Sequence, residues 1–455
     1  MRLTLIPDNS PLTQTPQGGT LGISDMGAAK YQLRLAFGDH RSIAALPEWE
    51  VCGLGVSEND VKDIENTLVS YLSDLGNSPL DTWEGAKNAI KNSKYACKEP
   101  TQEALKGIIS DEIPVICIGS GPSATRFLPR IKEIQDRVVI IVADSSYAGC
   151  ISSGLVPHFV TLIERQQCMA KLVPAGLHPD PILVAPLIAH PDSVAGWEGR
   201  RVWALQNTAG LYEWLAPNGE FISCGRSAGT LSIALAGYLG SKRIYLVGHD
   251  LAYDDKASHS FIADPMAARN HSAALACPTD LMHKDEACSG QTGELLRTCH
   301  FWNLVRGDIA NWCQESEAKV FNTGLSAIPG THRAWAIPDG REELTLNWRV
   351  AYTSPVIDRS AFKHDIWYLV KKFSQYAHMS NEAKVNVSES GHVLRLLNPV
   401  NWSTKNNLPF LNHVLAVIYH AAGIRMRLRP DGFQAGIDII TRTVPAMLRR
   451  MEREL

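Results

Sequence analysis

Groups suited to proton transfer and phosphate recognition are concentrated in four short stretches of this sequence. The densest is Val247-Gly248-His249-Asp250-Leu251-Ala252-Tyr253, followed closely by Ser258-His259-Ser260. Histidine ionises near neutral pH and is the natural general base. A tyrosine hydroxyl can stabilise charge on a departing phosphate. Plainer roles fit the same residues, with Asp250 capping its loop and His249 satisfied in the core. A second stretch, Ile118-Gly119-Ser120-Gly121-Pro122-Ser123, is a glycine turn. Its glycines let backbone approach a ligand closely, and a following helix would offer free N–H groups to phosphate. Ser123 can cap that helix or donate to a phosphate oxygen. The turn lacks the third glycine of the dinucleotide-binding fingerprint and the Gly-Lys-Ser/Thr of a P-loop.

Two further stretches add acids and hydroxyls. In Ala143-Asp144-Ser145-Ser146 the carboxylate can accept from a ribose or a base, or cap the next helix. Glu164 and Arg165 follow Phe159–Ile163, as cleft groups or as a surface ion pair of little consequence.

These stretches follow apolar runs of strand length, Pro114–Ile118, Val138–Ala143, Phe159–Ile163 and Ile244–Val247, the kind found in strands covered on both faces. Ile182–Ala185, Val202–Leu205 and Lys319–Asn322 read as further strands, and Ser227–Leu239 and residues 300–316 as helices. Alternating strands and helices predict a doubly wound, mostly parallel α/β sheet at residues 108–335, with ligands bound beyond the strand carboxyl ends. Residues 1–107 are expected to form an accessory region, with a capping box at Ser57–Asp60 opening a helix. Residues 336–455 are expected to be helical, over Ala361–His378, Phe410–Ala422 and Gly432–Arg450, with a loop or lid at 379–407.

The 455 residues exceed one ordinary core, while 45% hydrophobic and 20% charged residues are typical of globular proteins. A net charge of −3 gives no electrostatic reason to expect nucleic acid as a partner. No stretch approaches a membrane span, and the apolar start Leu3–Ile6 is too short for a signal segment. The ten cysteines form no C-x-x-C pair and read as reduced core thiols in a cytoplasm.

Taken in order, Gly119–Ser123, Ala143-Asp144-Ser145, Gly225-Arg226-Ser227, Gly248–Tyr253 and His259 resemble the motility-associated factor (Maf) glycosyltransferases, whose core is shared with the 6-hydroxymethylpterin diphosphokinase MptE-like domain. Ser289–Thr292, Asn322-Thr323-Gly324 and Ile328-Pro329-Gly330 are similar to that family's closing segment. The resemblance covers residues 112–332 and implies a Rossmann-like, sialyltransferase-like core. It implies transfer of a nonulosonic sugar from a CMP-linked donor to a protein acceptor such as flagellin, or to a glycan, in one inverting displacement. By that likeness Gly119, Ser120, Gly121, Pro122, Ser123, Asp144, Ser145, Glu164, Ser227, Asn322 and Thr323 would serve the nucleotide. Tyr253 would stabilise the leaving phosphate, His259 or His249 would deprotonate the acceptor, and Asp250 would complete the catalytic cluster. No metal or other cofactor is required in such transfer. The alternatives are a magnesium- and ATP-dependent pterin diphosphokinase, whose metal Asp144, Glu164 and Asp250 could hold, and a non-catalytic nucleotide-sugar-binding protein. The chain departs from the family's usual residues at His158 (usually Asp), Glu164 (usually Asp) and His249 (often Gln). The oligomeric state is left open.

Overall fold

Residues 115–118 and 139–143 are apolar at every position because their strands are covered on both faces. In the computed structural model, the described residues are 2–37, 50–67 and 79–339, apart from 16–17, 65–66, 175, 207–218, 224, 255–257, 261 and 266–284, together with 446, 449, 450 and 453. The helices expected between 361 and 450, and the loop at 379–407, lie outside the described residues save for 446, 449 and 450, which, like 453, are helical.

The chain divides into two compact units. Unit 2 comprises Lys87–Thr208 and Leu215–Arg359. It is built on eight strands: β5 (Val115–Ile118), β6 (Val139–Ala143), β7 (Phe159–Thr161), β8 (Ile182–Pro186), β9 (Arg201–Ala204), β10 (Arg243–Val247), β13 (Lys319–Asn322) and β14 (His332–Arg333). They pair in the order β14-β13-β10-β5-β6-β7-β8-β9, and each pairing is parallel. The chain runs outward from β5 to β9, then returns through helix α6 (Ala228–Tyr238) to β10 on the other side of β5. Strand order therefore reverses between β5 and β10, and a crevice opens outside their carboxyl ends.

One sheet face places Val115, Cys117, Val139, Ile141, Ile244 and Leu246 in a common core with Leu231 and Leu235 of α6. Val305 and Ile309 of helix α7 (His300–Glu315) join the same core. The alternate residues Ile116, Ile118, Ile140 and Val142 point to the opposite face and are equally buried. Helix α6 is almost wholly apolar and buried around its circumference, as a helix between sheet and α7 must be. Helices α3 (Ala124–Glu133) and α4 (Asp144–Ser152) follow β5 and β6 directly, and a short helix α5 spans Pro191–Ala195. A two-stranded antiparallel hairpin, β11 (Asp285–Ser289) and β12 (Leu295–Cys299), leads into α7.

Unit 2 begins at Lys87. Helix α2 spans Pro79–Ala96, and its Asn88 donates to the carbonyls of Arg165 (2.9 Å) and Ile188 (3.1 Å). Asn92 donates to those of Leu187 and Ala189, both at 2.8 Å. Buried amides satisfying backbone carbonyls bind this segment to the large sheet.

Unit 1 contains Met1–Ala86, Ala209–Trp214 and Ser360–Leu455. Its described strands β1 (Arg2–Ile6), β2 (Thr13–Thr15), β3 (Gly18–Gly22) and β4 (Glu50–Gly53) pair in the order β2-β3-β1-β4. The apolar start of the chain is thus a strand, with Leu3 and Leu5 buried beside Leu21 and with Leu33 of helix α1 (Met26–Phe37). Ser57 caps its helix as expected, with Oγ accepting from the Asp60 N–H at 3.2 Å.

Candidate active site

Two glycine turns meet at the switch point. Gly119 N–H donates to the Val247 carbonyl and Gly121 N–H to the Gly248 carbonyl, both at 2.8 Å. A Cβ on Gly119 would lie 2.6 Å from the Gly248 oxygen, and Gly248 itself has φ +68°. The glycines at these turns therefore serve the approach of one backbone turn to the other. The following Leu251 has φ +46°, a left-handed conformation that costs a branched residue strain. Its carbonyl accepts from Thr298 Oγ1 at 2.6 Å, and Tyr253 N–H donates to the Arg297 carbonyl at 2.9 Å, which hold that shape.

Over the turns lies a cavity of about 520 Å³. Gly119, Ser120, Asp144, Ser145, Glu164, Ser227, His249 and His259 all line it, so elements up to 140 residues apart in sequence converge there. The loop carrying His259 is tied to both neighbouring turns, since Ser260 N–H donates to the Ser120 carbonyl (2.8 Å) and Asp264 N–H to that of Ser145 (2.7 Å). His259 Nδ1 is 2.8 Å from Ser258 Oγ, and its ring meets Trp302 edge-on at 6.2 Å. Burial lowers its pKa, so the ring is neutral at pH 7. His249 lies deeper, and burial lowers its pKa to about 4. Its Nδ1 faces the Val247 carbonyl at 3.2 Å. A carbonyl only accepts, so Nδ1 is the donor in that contact.

The acids are unequal. Asp144 opens α4 and is buried, with Oδ1 accepting from Ser145 N–H at 2.7 Å and Oδ2 unpartnered. Burial, and secondarily the charge of Glu164, raises its pKa to about 8. Folding thus takes up a proton at Asp144, and the stability tied to that proton is complete below the ordinary carboxylate range. It is lost as pH rises toward 8. The wild type is expected to lose up to a few kcal/mol relative to Asp144→Asn between pH ~4.5 and ~8.5. Urea unfolding of both proteins at the two pH values measures this, and parallel curves would refute it.

Seven predicted residues are absent from the cavity lining. Asp250 is buried and does not line the cavity: Oδ2 accepts from Ser123 N–H (3.0 Å) and Oγ (2.9 Å), and Oδ1 accepts from Leu325 N–H (2.9 Å). Ser123 makes no side-chain cap, and its hydroxyl donates to Asp250. Asn322 and Thr323 hold their own turn, Asn322 Nδ2 donating to the Ser326 carbonyl and Thr323 Oγ1 to that of Leu246. Tyr253, absent from the cavity lining, packs at a tilt of 44° against Trp302 (centroids 4.8 Å apart), with the Arg297 guanidinium over its ring. Gly121 and Pro122 are absent from the lining, and a Cβ on Gly121 would fall 2.2 Å from Asp250 Oδ2. His158 is a structural histidine whose Nδ1 accepts from Ile140 N–H at 3.1 Å.

Sequence reasoning missed the apolar wall, formed by Met169 and Leu172 of the 3-10 turn Gln167–Leu172 and by Phe301, Trp302 and Val305 of α7. It also missed Arg226 as a cavity residue, although Gly225-Arg226-Ser227 precedes an apolar helix. Ser227 caps α6 reciprocally with Thr230, and Thr161 Oγ1 meets Ser232 Oγ at 2.7 Å, fixing the first turns of α6 on the end of β7. Among the described residues no group of three His, Cys, Asp or Glu side chains is placed to hold a metal. Among them too, no helix is long and apolar enough to cross a membrane.

Residues 87–256 match the family model described as 6-hydroxymethylpterin diphosphokinase MptE-like. No curated protein matches the chain. Among solved structures, the Maf glycosyltransferase from Magnetospirillum magneticum AMB-1 is similar with a TM-score of 0.64 at 16% identity, over 95% of this chain and 69% of that one. Residues 87–256, less than half of the chain, are thus similar to the MptE-like family, and the α/β fold is similar to that of the Maf glycosyltransferase.

Proposed function

We propose that the chain is a glycosyltransferase that moves a nonulosonic sugar from a CMP-activated donor to a hydroxyl of a protein (flagellin-like) or glycan acceptor. The observation that carries this reading is the convergence of His259, the acid pair and an aromatic wall on one cavity at the switch point. Ser258 orients His259 through Nδ1, and Nε2 is the nitrogen that takes the acceptor's proton. The acceptor oxygen bonds to the anomeric carbon from one face as the bond to the phosphate oxygen breaks on the other. CMP leaves with that electron pair beside the first turn of α6, whose Ser227, Ala228 and Gly229 line the cavity and whose dipole favours its charge. His249 is the weaker base, since burial lowers its pKa to about 4. CMP chemistry of this kind belongs to a cytoplasmic setting.

A thermal-shift and calorimetric titration with CMP, CDP, UDP, GDP and ATP, with and without magnesium, tests the donor. CMP is expected to raise the melting midpoint without metal, by an amount equivalent to ~2.7 kcal/mol at a hundred times its Kd. Binding of ATP alone, and only with magnesium, would instead favour the diphosphokinase. That second reading rests on Asp144 and Glu164 lining one cavity, as two carboxylates suit a magnesium ion that keeps several waters.

A further inference from the structure

The cavity's charges pose a problem for any anionic donor. Glu164 is acidic, burial holds Asp144 toward its neutral form, both histidines are neutral near pH 7, and one described lining residue, Arg226, carries a fixed positive charge. Its position is set from two directions by Asp308 of α7. The Arg226 backbone N–H donates to Asp308 Oδ2 at 3.1 Å, and Nη1 donates to Oδ1. Arg226 lines the cavity, Asp308 does not, and both side chains of the pair are partly exposed, Arg226 by 29% and Asp308 by 18%. A guanidinium has five N–H donors in a planar fork, so one carboxylate leaves it able to meet a second oxyanion. Because Asp308 already holds the chain at both ends, little rotamer freedom remains to be lost when a ligand docks. Arg226 also stands directly before Ser227, the cap of α6, on the side of the cavity where Ala228 and Gly229 line the wall.

Building on the donor reading above, we infer that Arg226, oriented by Asp308, is the residue that takes the acidic oxygens of the donor, whether phosphate or sugar carboxylate. Asp308 is then a positioning residue. The cavity selects an oxyanion at Arg226 and accommodates the uncharged ring against Phe301 and Trp302.

The test compares ligand pairs differing only in charge, in full-length wild type, Arg226→Met and Arg226→Lys, by calorimetry. The ligands are cytidine and CMP, adenosine and ATP with magnesium, inorganic phosphate, and N-acetylneuraminic acid. Arg226→Met is expected to weaken the charged member of whichever nucleotide pair binds by roughly 10- to 100-fold, and its nucleoside by less than about twofold. Arg226→Lys should fall between, since it keeps a charge and loses the fork. A loss for phosphate or CMP assigns the oxygens to the phosphate, and a loss confined to the sugar acid assigns them to the carboxylate. Equal losses for nucleoside and nucleotide, unchanged affinity for every anion, or a wild type that binds none of them would overturn the inference. Recognition of ATP in place of CMP would sink the CMP donor yet leave Arg226 tested by the adenosine pair.

Discussion

His259→Ala is expected to cut sugar transfer by roughly 10²- to 10⁴-fold while CMP affinity stays within about threefold of wild type. The size follows from the role. A positioned base contributes to the transition state, and removing it leaves ground-state binding to the turns and the apolar wall. The side chain is held by Ser258 and flanked by Trp302 on a loop whose backbone is tied to Ser120 and Ser145, so truncation should not collapse the site. The pH profile supplies an independent check. Burial lowers the His259 pKa, so the limb of kcat/KM governed by this group should lie below the ordinary histidine value, with activity falling as pH drops through it. His259→Ala should abolish that limb. Transfer that survives the substitution with its acid limb intact would move the base to His249, whose pKa near 4 would place the limb lower still.

The sheet was legible because its strands are buried on both faces. Continuous apolar runs such as Val139–Ala143 and Ile182–Pro186 are distinctive, and their positions fell within a residue or two of expectation. The hairpin Asp285–Cys299 was not, since Leu295 and Arg297 are exposed and its strands carry no apolar alternation. The candidate site was legible as a place but less so as a set of roles. His249, Asp250 and Tyr253 are near neighbours in sequence, yet only His249 faces the cavity. Their directions depend on the left-handed turn at Leu251 and on partners such as Ser123 and Leu325, which lie 127 and 75 residues away. Local patterns hold no record of such contacts. The same reason hid Phe301 and Trp302, which belong to a helix with no chemical motif and reach the cavity because α7 packs on α6.

Asp250→Ala is expected to destabilise the protein by ~3–5 kcal/mol, a large share of the ~5–15 kcal/mol that holds a typical domain folded. One carboxylate joins three segments: the turn after β5 through Ser123, the turn after β13 through Leu325, and its own loop after β10. Burial raises its pKa, and the N–H groups of Ser123 and Leu325 act against that rise. Removing the side chain orphans two buried-side backbone donors and a hydroxyl, each costing ~1–3 kcal/mol. It also opens the space against which Gly121 is fitted, where even a methyl group would collide with Oδ2. Asp250→Asn should recover part of the loss, because an amide oxygen can still accept from one segment but its NH₂ faces donors on the other. Urea unfolding monitored by tryptophan fluorescence measures both variants. A clamp predicts that stability and nucleotide affinity fall together, since the cavity floor is made of the segments it joins. If Asp250→Ala unfolds like wild type and has lost only turnover, the carboxylate acts in the chemistry, and the hydrogen bonds to Ser123 and Leu325 are incidental to it.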